Sequence, residues 1–258
     1  MIAGYPHFLG LAHRLQWDAD AIDLCGDAAA WPRLDPEVRG RLLELIAGFC
    51  VGEAAVATHL APFALAGGDP DTAACFRAQE RDELRHARFF DRVAARVAGI
   101  DGSTPAERTG SLRSLLAPAY VELFERRLAA VAHGLAAGEE SLGEAVGLYH
   151  MVLEGVVFTA GQLALLALAS EDSGLHGLRL GVELVLRDER WHVGFGTRCL
   201  ADAGAPRSLP ERILREGNEA AGAWTRAAGD EVRARVRDTH RRRVAAIGRP
   251  QPRPARMP

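Results

Sequence analysis

The strongest constraint on this chain is a nine-residue stretch that occurs twice and sets carboxylate and imidazole side chains at helical spacing. Arg81-Asp82-Glu83-Leu84-Arg85-His86-Ala87-Arg88-Phe89 returns 106 residues later as Arg187-Asp188-Glu189-Arg190-Trp191-His192-Val193-Gly194-Phe195, with five of nine positions identical. Residues three apart on an α-helix share a face, so Glu83 and His86 can converge on one ion, and Glu189 and His192 on another. Each copy offers half of a two-metal site.

With 19 Glu and 9 His in 258 residues, chance alone supplies on the order of one Glu-x-x-His pair. The surroundings carry the argument. Glu53 sits in an apolar run, Ile46 to Val56, 30 residues before Glu83, and the turn Gly67-Gly68-Asp69-Pro70 places Gly68 15 residues from each. Glu154 sits in a similar run, Met151 to Phe158, 35 residues before Glu189, with Ser170-Glu171-Asp172-Ser173-Gly174 midway. Two antiparallel hairpins with equal arms put the carboxylates at one height, about 22 Å from the turn at about 1.5 Å per residue. One Glu from each of two helices and a Glu-x-x-His from each of the other two is the di-metal carboxylate inventory of a four-helix bundle. The candidate ligands are Glu53, Glu83, His86, Glu154, Glu189 and His192. Glu53 and Glu154 are flanked by small or apolar residues, and a buried unpaired carboxylate is costly.

An all-α chain follows from the richness in Ala and Leu and the scarcity of β-branched runs. Its length suits one large domain. The net charge is −3, and all 31 basic residues are arginine. With no lysine, Schiff-base chemistry on a lysine is excluded. Cys25, Cys50, Cys75 and Cys199 show no Cys-x-x-Cys spacing, and the N-terminus has no basic-then-apolar signal segment, so a reducing cytoplasm is the expected location. No uncharged stretch reaches the roughly 18 residues of a membrane span, and the longest, Gly155 to Ser170, reads as a core helix.

Residues 1–34 read as a lead-in packed on the bundle, 35–247 as the di-metal helical domain, and 248–258 as a disordered Pro- and Arg-rich tail. Asp35-Pro36-Glu37 signals an N-cap with proline at the first helical position. Core helices are expected over about Pro36–Leu65, Asp71–Val97, Leu142–Ala169 and Leu175–Ala201. A connecting helix over about Leu112–Ala136 makes a long crossover between the two hairpins. A final helix is expected over about Pro210–Val244. Its arginines are interleaved with Asp230, Glu231 and Asp238 and joined by no aromatic residue, which argues against nucleic acid. His59, His133 and His176 read as surface or capping residues, whereas His150, four residues before Glu154, can touch the site.

Four carboxylates and two neutral imidazoles balance two divalent ions, and oxygen-rich coordination with one His per metal suits iron or manganese. Asp82 and Asp188 each point about 100° away from their Glu, which makes them candidates to accept the ring N–H of the other motif's His.

These segments resemble the ribonucleotide reductase small subunit and its relatives in the ferritin-like superfamily, and within it the ligand-binding oxidases. The resemblance rests on Gly52-Glu53-Ala54-Ala55-Val56, Glu83 to Phe90, Tyr149 to Gly155, and Asp188 to His192, in family order. It implies a ferritin-like four-helix bundle with flanking helices, a Mn/Fe or Fe/Fe pair, O2 as co-substrate, a small apolar ligand, a homodimer and an external electron donor. It also implies an ether cross-link between Val56 and Tyr149. Tyr149 lies five residues before Glu154, roughly 140° away on a regular α-helix. A π-bulge between them, at about 4.4 residues per turn, brings the two within roughly 50°. Two departures argue against a reductase subunit: Phe90 stands where its tyrosine is expected, and no tyrosine follows Tyr149. Gln162 stands where the oxidases are expected to have an aromatic. The functional expectation is an O2-activating oxidase; the alternatives are a ferroxidase or storage protein and a reductase-type radical subunit or inactive scaffold.

Overall fold

The computed structural model describes residues 2–203, 206 and 208–247. The proposed tail, 248–258, lies outside them. Among the described residues there is no strand, and helices follow one another along the chain. The lead-in holds α1 (Tyr5–Arg14) and α2 (Cys25–Ala30). The first hairpin pairs α3 (Pro36–His59) and the short α4 (Ala61–Ala66) with α5 (Pro70–Arg96). A crossover follows: α6 (Pro105–Leu112), α7 (Pro118–Val121), a π-helical turn Glu122–Arg127, and α8 (Leu128–Ala137). The third core helix begins as α9 (Leu142–Val146), passes through a π-helical stretch Gly147–Phe158 and ends as α10 (Thr159–Leu168). It packs against α11 (His176–Asp202), and α12 (Ser208–Ala220) and α13 (Asp230–Ile247) close over it.

Local chemistry explains the boundaries. Asp35 and Asp69 each cap a core helix by accepting two backbone N–H groups, with Pro36 and Pro70 at the start of the helices they cap. The first core helix stops at His59 and not at Leu65, because Pro62 offers no N–H and crowds the carbonyl of Thr58. Gly138 ends α8 at φ +73°, a left-handed cap that other residues adopt at a cost.

The expected single last helix is two helices. Between them Trp224 drops into the core: it is fully buried, and its Nε1 donates to the Val157 carbonyl at 2.7 Å. A Cβ at Gly48 or Gly161 would come within 2.2 or 2.6 Å of its ring, so these two glycines make its berth. Glu44 accepts from the Thr225 N–H and hydroxyl, both at 3.1 Å, and Arg233 reaches the carbonyls of Trp224 and Thr225. Burial of a large aromatic with its N–H satisfied outweighs helix continuity here.

Two helices, Pro36–His59 and Leu142–Leu168, are long and apolar enough to cross a membrane by length and composition alone, although glutamates interrupt both, so neither is an uncharged stretch of membrane-spanning length. In each, two thirds or more of the apolar window is buried inside the protein. Each also carries a fully buried glutamate, Glu53 or Glu154, so this apolarity builds the bundle core.

The lead-in is tied to the fourth core helix by a buried cap. Asp27, 2% exposed, accepts from the backbone N–H groups of Gly177 at 3.0 Å and Leu178 at 2.7 Å, where α11 begins. Asp27→Ala should therefore cost roughly 1–3 kcal/mol by leaving two buried donors unpaired. The expected readout is a lower urea midpoint, with Asp27→Asn retaining part of the loss.

Candidate metal centre

Glu53 on α3, Glu83 and His86 on α5, Glu154 in the π-helical stretch, and Glu189 and His192 on α11 meet in the middle of the bundle, each at most 2% exposed. They form two overlapping groups whose ligand atoms lie within 4.8 Å of one another: Glu53, Glu83, His86 and Glu189 in one, Glu83, Glu154 and His192 in the other. Glu83 belongs to both. His86 Nδ1 lies 3.3 Å from Glu83 Oε2 and 3.8 Å from Glu53 Oε2. His192 Nδ1 lies 3.1 Å from Glu83 Oε1 and 3.5 Å from Glu154 Oε1.

The two Nε2 atoms face away from this centre. His86 Nε2 is 3.3 Å from Asp188 Oδ2, and His192 Nε2 is 3.3 Å from Asp82 Oδ2. A carboxylate only accepts, so Nε2 carries the proton and leaves each Nδ1 lone pair pointing inward. The aspartates are themselves fixed. Arg85 bridges them, at 2.6 Å to Asp82 and 2.9 Å to Asp188. Trp17 Nε1 donates to Asp188 at 2.7 Å, and Trp191 Nε1 to Asp82 at 3.2 Å. Trp17 also stacks over His86 at 6.1 Å.

Eight buried polar atoms of this cluster make no hydrogen bond: both oxygens of Glu53 and Glu189, Glu83 Oε2, Glu154 Oε2, and Nδ1 of both histidines. Left so, they would carry a desolvation penalty with nothing against it. A pair of cations would satisfy all of them, and the donor set of carboxylates with one imidazole per position fits iron or manganese.

A polar strut supports one side. Gln79, one turn before Glu83, donates through Nε2 to Glu154 Oε1 at 2.7 Å and to the Tyr149 hydroxyl at 2.9 Å. The Tyr149 O–H in turn donates to Glu83 Oε1 at 2.9 Å. His150 Nε2 donates to Gln79 Oε1 at 3.0 Å. The sequence reading missed Gln79, although a polar residue on the same face as Glu83 and four positions before it was the available signal. It missed Trp17 as well, because 171 positions separate Trp17 from Asp188.

The expected distortion between Tyr149 and Glu154 is present and extends over Gly147–Phe158, wider than one bulge. Val56 is fully buried three residues after Glu53. Phe90 is also buried and stacks on Phe49 at 4.5 Å. Gln162 is fully buried, and neither of its amide heavy atoms has a partner. His59 and His133 lie outside the site and pack edge-on against each other at 6.1 Å.

Without a metal, protons compensate the crowded carboxylates. Burial opposes charge on His86, but the hydrogen bond to Asp188 and the close Glu83 carboxylate push its pKa up to about 9. Burial, then the charge of Glu189, pushes Glu154 up to about 8. Burial and repulsion from Glu83 raise Glu53 well above the usual range. Burial works against the ionised form of Asp188, yet His86 and Trp17 hold it at about 2. His150 is pushed down to about 3, chiefly by burial, and stays neutral.

The raised groups act on stability in one direction. A histidine raised from 6.5 contributes its stabilisation in full below that value and loses it as pH rises through about 9. A glutamic acid raised from 4.5 to about 8 ionises more readily once unfolded, which also weakens the fold as pH rises through that window. The metal-free protein should lose melting temperature steadily from pH 6.5 to 9 by calorimetry. A rising Tm across that range would contradict this protonation scheme.

No family model matches the sequence. Similar solved structures are variants of an R2-like ligand-binding oxidase with a reconstituted Mn/Fe cofactor. One, reconstituted anaerobically, aligns with a TM-score of 0.84 and 22% identity over 96% of this chain and 95% of that chain. A second, also anaerobic, gives 0.83 and 21% over 95% and 94%. A third, reconstituted aerobically, gives 0.82 and 21% over 95% and 94%. The chain therefore has the all-α, ferritin-like fold of these R2-like proteins, with its six candidate ligands on the bundle's four core helices.

Proposed function

We propose that the protein is a dinuclear metal-carboxylate oxidase that uses O2 for the two-electron oxidation of a C–H bond on a small apolar ligand. The convergence of eight partnerless buried donor atoms from six side chains carries this reading. Glu53, Glu83, His86 and Glu189 would hold one ion, and Glu83, Glu154 and His192 the other, with Glu83 shared. The Mn/Fe cofactor of the structurally similar oxidases supports Mn/Fe here, with Fe/Fe as the other candidate. When bound, the metal pair would supply O2 activation and two of the four electrons needed to reduce O2 to water, the other two coming from the C–H substrate.

The protein's own residues position and insulate. Asp82 and Asp188 hold the imidazole lone pairs inward, and Arg85 keeps the aspartates apart from the centre. Buried Phe49, Phe158 and Val152 help exclude water. Turnover after the first cycle requires electrons from an external donor, and the half-buried Trp17 lies between the surface and the His86–Asp188 pair. A homodimer and a cytoplasmic location belong to this reading.

Metal analysis provides the first check: two ions per chain, with Glu53→Ala and His192→Ala each lowering the content toward one or none. Two ions retained in both variants would sink the site assignment. Tyr149 and Val56 provide the second. Aerobic loading should join the Tyr149 oxygen to Val56 Cβ with loss of two hydrogens, so the linked peptide pair weighs about 2 Da less than its parts. Tyr149→Phe should remove that product and leave metal content intact. Unshifted, separate peptides after aerobic loading with iron and manganese would defeat the cross-link while leaving the metal assignment standing.

A further inference from the structure

The π-helical stretch has to be held in place, because its winding decides where Glu154 points. Within it an N–H bonds back five residues, and Thr159 still bonds back in this way to the Glu154 carbonyl. From Thr159 onward the chain is α-helical and bonds back four. A ladder that changes from five to four passes over one carbonyl, and here it is that of Gly155, the buried residue after Glu154. A buried carbonyl left without a donor is costly.

Arg243 of α13 fills this gap from 88 positions away, donating through Nη1 to the Gly155 carbonyl at 2.8 Å. Burial lowers the pKa of the guanidinium, and the charges of Glu154 and Glu189 beside it support the charged form. Gly155 leaves no room for a side chain, since a Cβ would come within 2.9 Å of the His150 carbonyl oxygen and 3.3 Å of Arg243 Nη1. Side chains hold two neighbouring carbonyls as well. Thr159 Oγ1 donates to the Glu154 carbonyl at 2.8 Å, and Trp224 Nε1 to that of Val157 at 2.7 Å. Moving the end of the π-helical stretch to the other side of Glu154 would swing its side chain by about 100° around the helix axis.

We propose that Arg243 is a positioning residue: its hydrogen bond fixes where the π-helical stretch ends, and so holds the Glu154 carboxylate beside His192 and the strut of Gln79 and Tyr149. The last helix thereby acts on the centre without supplying a ligand to it. This inference takes the metals from the proposed function, but the hydrogen bonds of Tyr149 report on Arg243 in their absence.

The chain has three tyrosines, Tyr5, Tyr120 and Tyr149, so isotope labelling at the hydroxyl-bearing ring carbon of tyrosine gives three NMR lines. In metal-free protein Arg243→Met should shift the Tyr149 line, assigned with Tyr149→Phe. The line of Tyr120, whose hydroxyl donates to the Gly48 carbonyl, should stay in place. Arg243→Lys should shift the Tyr149 line in the same direction by a smaller step, and it serves as the test where the Met variant does not fold. In Mn(II) titrations Arg243→Met should weaken binding of one of the two ions about 10- to 100-fold and leave the other unaltered. Arg108→Gln removes a guanidinium that holds Asp91 at 2.7 Å, and it should move neither readout. A Tyr149 line that stays in place when Arg243 is replaced would overturn the proposal. So would an equal shift in Arg108→Gln, or Mn(II) affinities that fall equally at both positions in Arg243→Met. A chain that takes up no manganese sinks the dinuclear reading, while the Tyr149 line still decides the role of Arg243.

Discussion

Four carboxylates shut away from water within reach of one another repel strongly, and much of this structure is the answer to that repulsion. Each glutamate sits on a different core helix, so the bundle cannot close without bringing the charges together. Cations must then enter the centre, as protons or as metals. The raised pKa values of His86 and Glu154 describe the first case, and the inward lone pairs of the histidines prepare the second. Around the centre lies a ring of opposite logic, where Asp82 and Asp188 stay ionised because Arg85, two tryptophan N–H groups and the outer imidazole nitrogens surround them. Alternation of sign from centre to surface lets six ionisable ligands and two aspartates share one buried volume.

The core of this arrangement was legible in the sequence because it is local. Glu-x-x-His spacing fixes a helix face, and equal arm lengths about Gly68 and about Ser170–Gly174 fix the height at which the carboxylates meet. Hairpin pairing, the crossover and the distortion near Tyr149 followed from the same arithmetic and from the family resemblance. What was illegible depends on contacts between distant segments. Trp17 finds Asp188, Asp27 finds the start of α11, and Trp224 finds Gly48 and Gly161, in each case across more than 60 positions. No periodicity records such pairings. The break of the last helix was missed for that reason: its alanines and arginines favour a continuous helix, and the tertiary berth for Trp224, together with Gly222 and Gly229 on either side, overrides them.

Gln79 shows how a single neutral side chain can order a charged site. Its amide lies with Nε2 toward Glu154 and Tyr149 and Oε1 toward the neutral His150, the arrangement that satisfies an ionised Glu154. With the amide fixed, the Tyr149 hydroxyl has its acceptor role taken and must give its proton to Glu83. The direction of one proton is thus set in part by Gln79, which belongs to neither group of candidate ligands.

The repeat makes the two halves of the bundle alike, and the π-helical stretch makes them unlike. Glu53 rises from regular α-helix, whereas its counterpart Glu154 rises from backbone wound five residues to the hydrogen bond. One position accordingly gathers four donors and the other three, with the strut of Gln79 and Tyr149 on the second alone. A duplicated motif by itself would offer two equivalent berths, filled by whichever ion is abundant. Broken symmetry gives the two berths different sets of side chains, and unequal donor sets are a means by which one protein can sort two neighbouring transition elements that differ little in affinity.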